Sequence, residues 1–309
     1  MAKYIIKRIL SMIPAVLIIV FVVFFILSLT PSSPAQIMLG LKATPEQVEA
    51  LNEELGYNRP VLVRYADYIW DALHGDFGFS YQSQKPVFDI LLPKFPTTLT
   101  VAILAVAVAA AIGIPLGLLS SLKPRSIGDN FLTVLSLFFA SVPNFWLGLV
   151  FMLVFALILG WLPTSGIGTW KHFVMPVLTL ALPSAAYISR LTRTTMLDAL
   201  GQDYIRTAKG KGAKLPRVTF VHALRNAMMP VVTQLGMSFA GLLGGAVVVE
   251  IVFGLPGFGN TIVSAIKAKD VPIVMGAILF LSVTFMLIML IVDIIYAFID
   301  PRVKAQYQS

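Results

Sequence analysis

Residues 196–230 read MLDALGQDYIRTAKGKGAKLPRVTFVHALRNAMMP. The stretch decides the fold because uncharged apolar runs stand on both sides of it, at 173–189 and 227–249. Its own apolar residues, Leu197, Leu200, Tyr204, Ile205 and Ala208, make a broken pattern. Gly201, Gly210, Gly212 and Pro216 divide it into short helices joined by turns. Short helices flanked by positive charge and tethered between two apolar runs can lie flat along a membrane surface. Composition supports the same picture. Of 309 residues, 58% are hydrophobic and 12% charged, against about 25% charged in a typical soluble domain. Mean hydropathy is +0.87. These values exclude a disordered chain and an ordinary cytosolic enzyme, and a chain with no Cys is no disulfide scaffold.

A bilayer core needs about 20 apolar residues in a helix. Runs of that kind stand at 9–30, 97–122, 131–159, 173–189, 227–249 and 271–292, which predicts an all-α polytopic membrane protein of six spans. The run 173–189 is the shortest and contains Pro176 and Pro183, so it is expected to kink or to continue to Arg193. The first run is too long for the apolar core of a cleaved signal and no small-x-small site follows, so it reads as a retained span. Gly241, Gly244 and Gly245 are expected to allow close packing of the fifth span.

Charge sets the orientation. With the N-terminus inside, the segments 1–8, 123–130, 190–226 and 300–309 hold 15 Lys and Arg, and the opposite segments hold 8. By the positive-inside rule both termini are then cytoplasmic. The same rule accounts for the net charge of +8 without nucleic acid as a partner. Segment 31–96 carries eight acids against five bases and reads as an external subdomain. Within it, Thr44-Pro45-Glu46-Gln47 has the form of a capping box, Gly56 stops that helix, and Pro60 opens another. Val61, Tyr65, Tyr68, Ile69 and Leu73 share one face of this second helix, and Gly75 ends it. The subdomain is either a docking lid or a cap over helix ends. The serial organisation is thus a first span at 1–30, the subdomain at 31–96, and a core at 97–300 whose large basic loop occupies 190–229.

Little in the chain points to catalysis. Gly210-Lys211 is the only Gly-Lys pair, and Ile205 stands where a phosphate-cradling loop needs its first Gly. His74, His172 and His222 are far apart, with no carboxylate at zinc-ligand spacing. No cofactor or metal is expected on this chain.

The basic loop resembles the "EAA" loop of ABC-importer permeases, in the variant of dipeptide, oligopeptide and nickel permeases. The matching residues are Asp203-Tyr204-Ile205-Arg206-Thr207-Ala208-Lys209-Gly210-Lys211-Gly212, then His222-Ala223-Leu224-Arg225-Asn226-Ala227 and Pro230. Gly75-Asp76-Phe77-Gly78 and Gly160-Trp161-Leu162-Pro163-Thr164-Ser165-Gly166 are similar to two further family motifs. So are Val249-Glu250 with Gly254-Leu255-Pro256-Gly257-Phe258-Gly259, and Asp293, Tyr296 and Asp300-Pro301-Arg302. Lys209-Gly210 departs from the family's Arg-Ala, and Gly is a weak helix former.

The resemblance implies one half of an ATP-driven import pathway for short peptides in a bacterial-type inner membrane. It implies a homologous second permease subunit, two ATP-binding subunits that carry ATP and Mg, and an external substrate-binding protein. The coupling residues it implies are Asp203, Tyr204, Ile205, Arg206, Thr207, Ala208, Lys209, Lys211, Gly212, His222 and Arg225. Tyr204, Ile205 and Ala208 would form the docking face for an ATPase, and Gly212 the turn behind it. Import of nickel or a metal chelate is the alternative within the class, and a self-contained secondary transporter the alternative outside it. Pro143 and Asn144, inside the third run, are candidates for a pathway-lining or kink position, with an interhelical hydrogen bond as the plainer role for Asn144. Glu250 opens the 250–260 loop, where interfacial solvation competes with a contact to substrate.

Overall fold

The computed structural model describes residues 2–29, 33–40 and 42–299. The motif Asp300-Pro301-Arg302 lies outside them. In chain order the helices are α1 (Ala2–Ser28), α2 (Pro34–Leu39), α3 (Pro45–Glu54), α4 (Val61–Leu73), α5 (Val87–Leu91), α6 (Phe95–Leu122), α7 (Ile127–Ser141) and α8 (Asn144–Phe151). They continue as α9 (Lys171–Leu200), α10 (Asp203–Gly210), α11 (Leu215–Arg217), α12 (Leu224–Gly245), α13 (Val247–Val252), α14 (Phe258–Lys267) and α15 (Val271–Ile299). Turns of π-helix over Met152–Ile158 and Val218–Ala223 extend α8 and lead into α12. Among the described residues there is no strand, only an isolated antiparallel bridge between Phe79 and Pro86.

Among the described residues, five stretches are long and apolar enough to cross a membrane: Ile5–Ser28, Val87–Leu122, Lys171–Leu200, Leu215–Gly244 and Val271–Ile294. A sixth apolar stretch is a helix pair, Ile127–Ser141 and Asn144–Ile158, bent by 101°. The run 131–159, expected as one span, therefore departs from a straight helix. Val142 is extended (φ −79°, ψ 127°), as the ring of the following residue requires, and Pro143 brings no N–H to continue the ladder. The helix restarts when the Pro143 carbonyl accepts from Leu147 N–H at 3.1 Å. The shortest run behaves the other way. α9 continues for 30 residues past both Pro176 and Pro183. Hydroxyls of Thr179 and Ser184 bond back to the carbonyls of Met175 and Leu180 at 2.7 and 3.0 Å.

The chain divides into two compact units that cut across the serial segments. One holds 99–255 and the residues from 288 on; the other holds 2–98 and 256–287. In the first, α9 is the hub, packed against α7, α8, α12 and α13. Met175, Leu180, Ala181 and Ala185 of α9 are buried there with Val101, Ala105 and Ala109 of α6 and with Phe253. α6 and α9 approach each other closely. A Cβ on Gly113 would sit 2.7 Å from the Ala185 carbonyl oxygen, and one on Gly117 only 2.3 Å from that of Ser189. Gly113 and Gly117 thus form the small-xxx-small contact that lets two membrane helices touch backbone to backbone. α12 is also closely packed, but at Gly236, where a Cβ would lie 2.2 Å from Val292 Cγ2; of the expected glycines, Gly241 and Gly244 meet nothing within 4 Å among the described residues, and the surroundings of Gly245 lie outside them. Glycine in a span permits close approach but does not say which neighbour arrives.

The second unit packs through aromatic rings. Phe21 and Phe24 of α1 meet Tyr65 of α4 at centroid distances of 5.1 and 5.7 Å, and the Tyr65 hydroxyl donates to the Leu17 carbonyl at 2.7 Å. Val61, Tyr68 and Ile69 join this contact as their spacing predicted, but Leu73 at the helix end is exposed. A second group packs Phe95 edge-to-face against Phe258 and Phe280. The Thr44 capping box is formed in full, with Thr44 N–H donating to Gln47 Oε1 at 3.0 Å and Gln47 N–H to Thr44 Oγ1 at 3.4 Å.

Candidate functional site

The loop between α9 and α12 has one organised element, α10. Gly201 and Gln202 alone separate it from α9. The Gln202 carbonyl accepts from Ile205 N–H at 3.1 Å, so the new helix starts as the old one ends. At its other end Ala213 N–H bonds to the Ala208 carbonyl at 3.1 Å and Gly212 N–H to that of Lys209 at 2.9 Å. This is a Schellman cap, and it needs a left-handed residue, which Gly212 supplies at φ +83°. The helix is continuous to Gly210 despite the weak propensity of that residue. The turn at Gly212 falls where the sequence placed it.

The faces of α10 are divided sharply. Ile205 is 0% exposed. It packs with Leu118 of α6, Met196 and Ala199 of α9, and Val218, Ala223 and Ala227 on the way into α12. Ile205 was expected on a docking face with Tyr204 and Ala208; it is instead the anchor that fixes α10 to the body of its own unit. A lone apolar side chain in an eight-residue surface helix serves either purpose, and periodicity does not separate them. Asp203, Tyr204, Arg206, Thr207, Lys209 and Lys211 point away from the core and are exposed, while Ala208 is half-buried. Arg206 and Asp203 approach to 3.6 Å but both are largely solvated, so the pair contributes little. His222 is half-buried in the π turn and Arg225 is exposed at the start of α12.

Ten residues before α10, α9 carries Arg193, and this side chain closes a cluster absent from the sequence reading. Its Nε and Nη2 donate to the two carboxylate oxygens of Asp129, each at 2.7 Å. The same carboxylate accepts from Ser120 Oγ and from Arg125 N–H. Asp129 is 3% exposed and sits in the first turn of α7, whose N-cap is Ser126. One buried carboxylate therefore ties the end of α6, the start of α7 and the lower part of α9. Bidentate Arg–carboxylate geometry holds orientation as well as charge. The local signal was present, since Ser126 with Asp129 three residues on has the form of an N-terminal cap. The partner 64 residues away gave none.

The remaining candidates are scattered. Pro143 and Asn144 lie at the 101° bend and are exposed, and no other described residue takes the Asn144 side chain. Glu250, expected at a loop mouth, is 0% exposed within α13. His74 Nδ1 lies 2.8 Å from the Trp70 carbonyl oxygen. Among the described residues no three His, Cys, Asp or Glu gather in a way that could hold a metal ion.

The described residues thus comprise apolar helices long enough to span a membrane, one broken helix pair, and a short capped helix anchored between two of the spans. Residues 113–305 match the family described as "Binding-protein-dependent transport system inner membrane component", and residues 1–102 match its N-terminal counterpart. The chain belongs to this family and is the inner-membrane permease of an ABC importer. It is 38% identical over 304 residues to the glutathione transport system permease GsiC of Escherichia coli K12, covering 98% of this chain and 99% of that one. A Brucella abortus protein named as a peptide transport system permease is 38% identical over 312 residues, with the same coverage. The fold is shared with the methionine transporter MetNI in an inward-facing conformation, at TM-score 0.55 and 18% identity over 68% of this chain and 96% of that one. An amino acid ABC transporter gives TM-score 0.54 at 16% identity over 67% and 93%.

Proposed function

We propose that this permease carries short peptides, and that α10 is the element through which separate ATPase subunits move it. The observation that carries the coupling role is the division of α10. Ile205 is locked into the core while Tyr204, Arg206, Thr207, Lys209 and Lys211 face outward. A helix that is buried on one side, joined to a 30-residue span by two residues and closed by a Schellman cap passes a push on its outer face into α9 without flexing. The substrate class rests on the relatives: one is named for peptides, the other for glutathione, itself a tripeptide. In this reading the basic loop is cytoplasmic, a second homologous permease completes the pathway, two ATP-binding subunits with ATP and Mg dock on α10, and an external binding protein delivers substrate. Exposed Asn144 at the bend of the third span is a candidate pathway position.

Replacing Gly212 by Pro tests the coupling. Proline cannot adopt φ +83°, so the cap is lost. ATP-dependent uptake of a labelled tripeptide into vesicles should vanish while the variant chain still inserts and assembles with its ATPase. Normal uptake by the variant would refute the coupling role.

A further inference from the structure

The unit formed by 2–98 and 256–287 contains a cleft of about 360 Å³, lined in part by Phe77 and Gly78 of the Gly75–Gly78 motif. Its walls are aromatic, with Phe24, Tyr57, Phe79 and Tyr81 among them. Its charged groups are Arg59, just before α4, and Arg64, Asp67 and Asp71 on α4. Asp67 is already spent, since Arg59 pairs with it at 2.7 Å. Arg64 is not. Its guanidinium stacks 4.1 Å from the Tyr57 ring centroid and 5.6 Å from that of Phe24, and among the described residues no acceptor takes its N–H groups. Cation–π stacking fixes the plane of a guanidinium while leaving its donor edge available. Tyr68 lines the same cleft, and its hydroxyl is buried without a hydrogen-bond partner. Burial pushes it above the ordinary tyrosine range, so it stays a neutral donor. Buried polar groups are nearly always satisfied, and an orphan hydroxyl one helical turn from an unclaimed guanidinium, on residues lining one cleft, marks a place where a ligand's acceptor belongs. Asp71, one helical face further along, supplies an exposed carboxylate whose oxygens take no protein donor among the described residues.

We propose that this cleft binds a short peptide by its two charged ends, the carboxylate on Arg64 and Tyr68 and the ammonium on Asp71. Arg64 and Asp71 are seven residues apart on one helix, which separates their Cα atoms by about 10 Å. An extended di- or tripeptide spans about 7–10 Å, and the aromatic walls of the cleft suit its side chains. The assignment rests on the short-peptide reading above and adds a site on the permease itself.

The test uses the complete importer in lipid nanodiscs and labelled trialanine as the probe, with trialanine amide and N-acetyl-trialanine as competitors. Losing one charge-assisted contact should weaken either competitor about tenfold or more. Arg64→Gln should weaken trialanine to the same extent and abolish its advantage over the amide. Asp71→Asn should abolish its advantage over the N-acetyl form. Tyr68→Phe, which changes one hydroxyl and leaves the packing, should give a smaller loss of the same kind. The proposal is overturned if wild-type importer does not retain trialanine or does not distinguish it from its amide, or if Arg64→Gln discriminates as wild type does. It is also overturned if Arg64→Gln weakens only the docking of ligand-free binding protein, because the anion would then be a protein side chain. Tripeptide uptake by wild-type vesicles separates the two levels: intact uptake with an indifferent cleft removes the site alone, and absent uptake removes the substrate class.

Discussion

Two segments of this permease connect spans through short helices, and they are held by opposite means. Between α1 and α5, helices α2 to α4 rely on side-chain caps and aromatic contacts. α3 has the Thr44 capping box and a single buried residue, Asn52, whose Oδ1 accepts from Ala35 N–H at 3.3 Å. Between α9 and α12, α10 lacks a side-chain cap at its N-terminus and depends on Ile205 in the core and on its two-residue joint to α9. The first arrangement stabilises a helix where it stands. The second makes a helix part of a larger rigid body. The second is the one the proposed coupling role uses, and the Asp129–Arg193 pair lies on that body, seven residues from the end of α9.

The comparison fails first if the buried pair is dispensable. Asp129→Ala leaves Arg193 in a 28%-exposed position with no carboxylate. Breaking such a pair should cost about 3–4 kcal/mol, read as a fall of several degrees in the thermal unfolding midpoint, and uptake should fall with it. Replacing both partners by apolar residues, Asp129→Leu with Arg193→Met, should recover most of the stability. If it also recovers uptake, the pair is a packing device; if stability returns without uptake, the charge itself is needed to orient α9. Ile205→Ala comes next. Removing a fully buried side chain costs about 2–4 kcal/mol, here spent on releasing α10 from its unit. ATP hydrolysis should continue while peptide uptake collapses. Tyr204→Ala, on the outer face, should leave stability within about 0.5 kcal/mol and still lower uptake. Equal effects of both variants on stability would erase the distinction between anchor and contact face.

Much of this was legible in the sequence, for a physical reason. Apolar runs announce spans because the bilayer demands about 20 residues of them, and caps announce helix ends because Thr44, Gly56 and Gly212 are local solutions to local backbone geometry. Long-range choices were hidden. Gly113 and Gly117 look no different from Gly241 and Gly244 until α9 arrives on one pair, while no described residue comes within 4 Å of a Cβ on the other. Ile205 carries no mark that it faces inward. Asp129 reads as an ordinary capping residue until Arg193 reaches it from 64 positions away. Arg64 reads as a solvated charge until Tyr57 and Phe24 close over it.

The smallest effect expected is at Thr44, and it sharpens the comparison most economically. Thr44→Ala removes the hydroxyl that accepts from Gln47 N–H and frees the Gln47 side chain that reaches back to Thr44 N–H. The loss of an N-cap is worth about 1 kcal/mol, and α3 is mostly exposed, so the loss should appear as faster amide exchange confined to 44–48. The rest of the chain should be unaffected because α3 is joined to its surroundings by few buried groups. Peptide uptake should stay within twofold of wild type. A large transport defect from this local fraying would mean that the segment between α1 and α5 also transmits force, and that a helix held by caps alone can serve as a lever.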